Sequence, residues 1–509
     1  MKTIIRRRLA NCKRRIERRL DQLDVRGCGE PIMTARNLRY EIADRVRGIS
    51  VGGIGAFHAL ARQVGLPDAI DRRLQLLKLH LPYHESDHVL ALAYLPLCGG
   101  TCLEDLELLR QDEVFLDALG ARRIPDPTTS GDFCRRFTAA DIGVLLDVVN
   151  DTRLRVWAGQ PAAFFAEARI DMDGFLVETT GQCKQGMDIA YDGTWGYHPL
   201  VLTLANTGEV LSIRNRSGNR PSHEGAAAEV DRALEVCFRG GFRRALLRGD
   251  SKFSQSEHLD RWTDDPRVRF LFGFEAKPNL VEIAENLPAR AWRPLQRPAR
   301  YQAKTAPRQR PDNVKEARVV ARGFENRRLQ AEEVAEFNYR PTACRKTYRM
   351  VVLKKNLSVA KGEQRLFDDL VYFFYLTNEW VPEPDEIVFL ANDRCDQENL
   401  LAQLHGGVRA LRAPVDNLES NGAYMVMTAL AWNLKAWWAL MLPERPGRYR
   451  DKHQAEKRWV LRLEFKRFVN AFVRLPCQIV RTGRQLVFRL LAWNPYQPIF
   501  FRLLDVLRC

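Results

Sequence analysis

Apolar residues recur three and four apart through Val89-Leu-Ala-Leu-Ala-Tyr-Leu95 and again through Leu103-Glu-Asp-Leu-Glu-Leu-Leu109, the spacing that lines one face of a helix. Gly99-Gly100 separates the two runs, and Thr101 is a fair N-cap for the second. Residues 1–160 therefore read as mostly helical. Within them, Pro125-Asp-Pro-Thr-Thr-Ser130 is a loop leading into Asp132-Phe-Cys-Arg-Arg-Phe137. A polar cap and adjacent arginines there suit a phosphate-contacting helix as well as a plain surface one.

From Arg169 the pattern changes. Ile170 to Val177 reads as a strand, followed by a connection through Gly181 and Gly186. Two apolar runs, Pro199 to Ala205 and Glu209 to Arg214, flank Asn206-Thr-Gly208, a hairpin signal. A helix over Glu224 to Phe238 stops at Gly240-Gly241, and the strand Arg244 to Arg248 then delivers Asp250. The helix around Ser256 to Trp262 leads to a last strand, Val268 to Phe274. The order β, β, β, α, β, α, β is that of a ribonuclease-H-like α/β core.

Beyond it the expected helix is delayed. Arg293 to Arg310 reads as an exposed basic loop, and Glu316 to Arg322, Tyr348 to Lys354 and Leu370 to Leu376 read as strands of a β-rich insertion. After Pro384 the helical period returns through Asn392 to Leu404 and Gly422 to Leu442. The tail from Lys452 is basic and partly helical, with an amphipathic end at Phe500 to Leu507. Five regions result: a helical region with a basic arm (1–160), the first part of the core (161–284), the β-rich insertion (285–380), the second part of the core (381–445) and a basic C-terminal region (446–509).

A chain of 509 residues is long enough for several cores, and 79 Lys+Arg against 63 Asp+Glu give a net charge of +16. That balance favours an anionic partner. The longest apolar runs, Ala423 to Leu442 and Ile479 to Leu491, are interrupted by Asn433, Lys435, Arg481, Arg484 and Arg489, so nucleic acid fits better than a membrane. Eleven scattered cysteines form no CxxC pair, which leaves a zinc ribbon unsupported and favours reduced, cytoplasmic thiols. Met1 to Leu20 holds nine basic residues against Glu17 and lacks the apolar centre of a signal peptide.

The candidate chemistry is acidic. Asp171 and Asp173 alternate on the first strand, Asp250 follows a later one, and Glu398 lies on a downstream helix. Carboxylates converging at strand ends can hold two divalent metals for phosphoryl transfer. Asp173 is favoured over Asp171 because Gly174 permits close approach, and solvated strand-end acids remain the plainer alternative. Arg248 shares a face with Asp250, where it contacts a phosphate or pairs with an acid. Arg394 and His405 share a helical face with Glu398. His80, His84 and His88 recur every four residues beside Glu85 and Asp87, a spacing compatible with metal ligation. Pro82 breaks the helix that this spacing needs, so they read as surface histidines.

The words around these acids carry a resemblance: Ile170-Asp-Met-Asp-Gly174, Gly196-Tyr-His-Pro-Leu200, Thr207-Gly-Glu-Val-Leu211, Arg216-Ser-Gly-Asn219 and Arg248-Gly-Asp-Ser-Lys-Phe253. With Cys98-Gly-Gly-Thr, Pro125-Asp-Pro-Thr-Thr and Ala429-Leu-Ala-Trp-Asn-Leu434, they resemble DDE transposases of bacterial insertion sequences, most closely the family numbered thirteen-eighty. The resemblance spans nearly the whole chain. It implies Asp173, Asp250 and Glu398 as the catalytic and metal-binding set, Asp171 being a further possible ligand. It also implies two Mg²⁺ ions, replaceable by Mn²⁺, and phosphate contacts from Arg248, Arg394 and His405. Trp292 would be a base-stacking residue, with Trp262 and Trp380 as rivals. Double-stranded DNA, both terminal inverted repeats and target, is the implied partner of a homodimer on paired ends, in a bacterial cytoplasm at the nucleoid. Ala391 and His405 stand where the pattern carries tyrosine and lysine. A metal-dependent nuclease, or an inactive DNA-binding protein of the same fold, are the alternatives.

Overall fold

The computed structural model describes residues 2–21, 39, 46–80, 82–297, 327–359, 369–482 and 485–507. The strand expected at Glu316 to Arg322, and the basic loop from residue 298 onward, lie outside them. Among the described residues, 1–160 holds helices, including a basic one at Lys2–Asp21, α1 (Glu85–Leu97) and α2 (Ala139–Trp157). Thr138 caps α2 by accepting the Asp141 N–H, and Asp141 returns the bond to the Thr138 N–H at 2.9 Å.

The centre is a sheet whose core strands are β1 (Ala168–Gly174), β2 (Leu200–Leu204), β3 (Glu209–Arg214), β4 (Ala245–Gly249) and β5 (Val268–Phe274). Their spatial order is β5-β4-β1-β2-β3. β1, β4 and β5 run parallel, while β2 and β3 are antiparallel to their neighbours. This is the ribonuclease-H-like topology expected from the element order. Helix α3 (Ala226–Arg239) carries the chain from the edge strand β3 back across the sheet to β4, and α4 (Ser256–Asp264) forms the β4-to-β5 crossover, as those parallel neighbours require. All five residues of β4 are buried, which is why Ala245-Leu-Leu reads as an unbroken apolar run. β1 ends at Gly174 rather than Val177; Val177–Glu178 joins a separate three-stranded sheet with Asp188–Ile189 and Trp195–Tyr197.

The insertion extends the same sheet beyond β5 through β6 (Arg327–Tyr339), β7 (Tyr348–Val359) and β8 (Asp369–Thr377), with β8 antiparallel to β5. β6 was not anticipated, because its acids Glu332, Glu333 and Glu336 fall on both faces of the strand and break the apolar alternation. The chain then returns through α5 (Pro384–Asn392) and α6 (Cys395–Ala402) to α7 (Leu418–Leu440).

Helix α7 is buried from Ser420 to Leu440, so its polar groups must find partners inside. Glu209 accepts bonds from Trp157 Nε1 (3.0 Å), Trp437 Nε1 (2.9 Å), Arg153 Nε (3.0 Å) and the Thr207 hydroxyl (2.6 Å). Asn433 accepts the Val210 N–H at 2.8 Å and donates to its carbonyl at 3.1 Å, finishing the ladder of β3. Asn433→Ala strands that buried N–H and should destabilise the protein by about 1–3 kcal/mol, read as a lower midpoint in denaturant titration.

The C-terminal region is partly helical, at Arg450–Arg462, Phe465–Phe472 and Gln497–Leu504, and also holds strands that were not expected. Cys477–Thr482 and Gln485–Leu490 form a hairpin, and Gly48–Ile49 pairs with its first strand. Arg481 and Arg489, which interrupt this apolar run, are exposed residues of that hairpin. Among the described residues no helix is long and apolar enough to cross a membrane.

Candidate active site

Asp171 and Asp173 lie on the central strand but have different surroundings. Asp171 faces Arg248 across the parallel β1–β4 register. Its two oxygens accept from Arg248 Nε at 2.7 Å and Nη2 at 2.8 Å, and the pair is almost fully buried. Burial pushes the Asp171 carboxyl upward against the pull of Arg248. Arg248 Nη1 donates to the Leu390 carbonyl at 2.9 Å, tying α5 to the sheet. The expectation that Arg248 contacts a phosphate is therefore corrected: its guanidinium is 3% exposed and bonded to protein groups through three nitrogens.

Asp173 lies one pleat further, where β1 ends. Its Oδ1 accepts the Gly174 N–H at 2.8 Å, and its Oδ2 accepts from Arg394 Nη1 at 3.1 Å. Asp250 follows the last residue of β4, and its Oδ1 accepts the Lys252 N–H at 2.9 Å, capping the turn Ser251–Phe253. The Asp173 carboxyl is raised above its ordinary value, first by burial, with Arg394 opposing and the Asp250 charge adding to the rise. Two strand-end acids thus sense each other, with one arginine beside them.

A raised folded-state value means folding disfavours the ionised Asp173. That penalty is absent below the unfolded value of about 3.9 and present in full once the pH exceeds the folded value. Asp173→Asn should therefore raise the melting temperature of metal-free protein at neutral pH. The gain should fade as the pH falls towards about 4.

Glu398 does not lie on one continuous helix from Asn392. α5 stops at Asn392, Arg394 caps α6, and a π-turn, Gln403–Gly407, follows it. The buried Gln397 anchors α6: its Oε1 accepts from the Thr203 hydroxyl at 2.5 Å and its Nε2 donates to the Val201 carbonyl at 3.4 Å. Val201 is the register partner of Asp173, so α6 docks beside the end of β1. Glu398, the next residue, is exposed. The structure brings Asp173, Asp250 and Arg394 together and leaves Glu398 exposed on α6.

His405 sits on the π-turn with its ring 5.0 Å from that of Phe175, just past β1, and its Nδ1 is 3.0 Å from the Leu411 carbonyl. Since a carbonyl only accepts, that nitrogen carries the proton. Burial lowers its basicity. Trp292 is half-buried, with Lys354 Nζ 4.2 Å from its ring centre and Tyr372 at 6.4 Å. Trp262 is buried and donates to Asp231, whereas Trp380 is 54% exposed.

Two groups escaped sequence reasoning. His198 packs so tightly on Gly174 that a Cβ there would meet its Nε2 at 2.4 Å, and its Nδ1 donates to the Arg220 carbonyl at 2.9 Å. This explains Gly174 without invoking a metal. Tyr191 and Trp195, both exposed, belong to the small sheet, and Lys252 Nζ lies 4.7 Å from the Tyr191 ring centre. His198 sits in a quoted motif, so its position was legible although its contact was not.

The donor set fits a hard divalent cation. All three acids offer oxygen, as Mg²⁺ and Mn²⁺ require, and a cation would relieve the repulsion between Asp173 and Asp250. Residues 47–509 match the family model described as transposase DDE domain group 1. No curated protein matches the chain. Among solved structures, the cryo-EM structure of a piggyBac transposase synaptic complex with hairpin DNA is similar over 83% of this chain and 82% of that one. The identity is 10% and the TM-score 0.37, too low to transfer residues.

Proposed function

The chain belongs to the DDE transposases of domain group 1, and from that premise we propose that it cuts the ends of a mobile element and joins them to target DNA. The observation that supports this reading best is the meeting of Asp173, Asp250 and Arg394 at the ends of adjacent central strands. Asp173, Asp250 and Glu398 would hold two Mg²⁺ ions, or Mn²⁺. Such ions, when bound, activate the attacking oxygen and stabilise the leaving one.

The chain's own residues have separate tasks. Asp173 and Asp250 offer their carboxylates from rigid strand ends, and Glu398 offers a third from α6. Arg394, ion-paired with Asp173, is the cation that a phosphate oxygen would take over once metal neutralises the acid. Arg248 acts through Asp171 and α5, as a positioning residue. His405, whose Nδ1 proton is held by the Leu411 carbonyl, would reach a phosphate oxygen through Nε2 only as the imidazolium, which burial disfavours. The basic helix Lys2–Asp21 and the helices after it would grip the DNA, chiefly through phosphates, so binding should weaken steeply with salt. A homodimer on paired ends, the five-region division and kinship with the thirteen-eighty family complete the proposal.

A supercoiled plasmid carrying the element ends, incubated with the purified chain and Mg²⁺, tests it. The expected result is nicking at the ends followed by a covalently joined donor–target product. Nicking without joining identifies a nuclease, and end binding without nicking identifies an inactive DNA-binding protein.

A further inference from the structure

The loop between the helix Leu66–Arg73 and α1 gathers three side chains that DNA chemistry does not use. Glu85 opens α1 and is fully buried. Its Oε1 accepts the N–H groups of Leu76 and Leu77, both at 3.0 Å. Its Oε2 is also buried but receives no hydrogen bond. His80 Nε2 lies 3.2 Å from that oxygen, off hydrogen-bonding geometry. The His80 and His84 rings stack with centroids 4.8 Å apart and planes 11° from parallel. One donor atom from each of the three residues lies within 4.8 Å of the others.

A buried carboxylate oxygen without a donor is costly, and two stacked imidazoles cannot both be protonated cheaply. A divalent ion between them removes both problems: it binds the orphaned oxygen and needs neutral imidazoles. Two nitrogens and one oxygen select a borderline ion such as Zn²⁺ over Mg²⁺, which prefers oxygen. Half of the His80 side chain is exposed, so an ion can enter from solvent.

We propose that His80, His84 and Glu85 form a Zn²⁺ site, with its fourth position open to water, that fastens residues 74–80 to the start of α1. The helix spacing that Pro82 forbids is not needed, because His80 comes from the loop and His84 from the N-cap. His88, the third member of the repeat, is not a ligand. It is buried and stacked on Phe133 at 4.2 Å, which also corrects its reading as a surface histidine. The site stands apart from the acids of the sheet, so it also holds if the proposed strand transfer fails.

Chelator-stripped full-length protein, free of any histidine tag, is titrated with Zn²⁺ against a chromogenic chelator, and its melting temperature is followed in parallel. One ion per chain and a rise in melting temperature are expected, both undiminished in Asp250→Asn. His80→Ala and His84→Ala, at exposed positions, should each melt like the stripped wild type. Each should weaken Zn²⁺ by about tenfold or more, since even an outer partner of a ligand is worth that much. Failure of the wild type to bind Zn²⁺ would overturn the proposal. So would unchanged stoichiometry and affinity in the double histidine variant.

Discussion

Asp250→Asn should leave the protein folded and abolish DNA cleavage, lowering the single-turnover rate by about 10³-fold or more. The size follows from the chemistry: metal-assisted charge stabilisation supplies several kcal/mol, and each ~1.4 kcal/mol is tenfold in rate. Folding should survive because Asp250 contributes one capping bond to a three-residue turn, and an asparagine oxygen can accept the same Lys252 N–H. Cleavage of end-labelled DNA beside a melting curve checks both halves. A rate within a few fold of wild type would remove Asp250 from the site.

Arg248→Ala should do the reverse and act on the fold. It leaves the Asp171 carboxylate buried without its two charge-assisted bonds and releases the Leu390 carbonyl that ties α5 to the sheet. Breaking one side of a buried pair costs about 3–5 kcal/mol, enough to lower the melting temperature by several degrees. Replacing both partners, Asp171→Leu with Arg248→Met, should recover most of that loss, because the desolvation cost of the pair disappears with the pair. If the double variant melts no higher than Arg248→Ala, the ion pair is not the origin of the effect.

These two residues show what could be read from the chain alone. The period of β1 put Asp171 and Asp173 on one face but could not say which was neutralised by a neighbour. That depends on the β1–β4 register, which sets Arg248 opposite Asp171. Topology was legible because apolar runs, turns and crossovers each point to one arrangement. α6 was less so: the break at Asp393–Arg394 and the docking of Gln397 on Thr203 are tertiary events. The Cys477–Leu490 hairpin carried an alternating pattern, but its arginines read only as interruptions of an apolar run. The tie of Glu209 to Trp157 and Trp437 joins residues far apart in the chain and had no local signal.

The division of labour between the two acids of β1 is the centre of this account, and Mg²⁺-dependent nicking of element-end DNA by Asp173→Asn and Asp171→Asn, each assayed below its own melting temperature, tests it most directly. Asp173→Asn should be as stable as wild type or more so and fail to nick, while Asp171→Asn, which leaves the buried Arg248 without its anionic partner, should be less stable yet still nick. Cleavage by Asp173→Asn at the wild-type rate, or its loss only in a folded Asp171→Asn, would contradict the account.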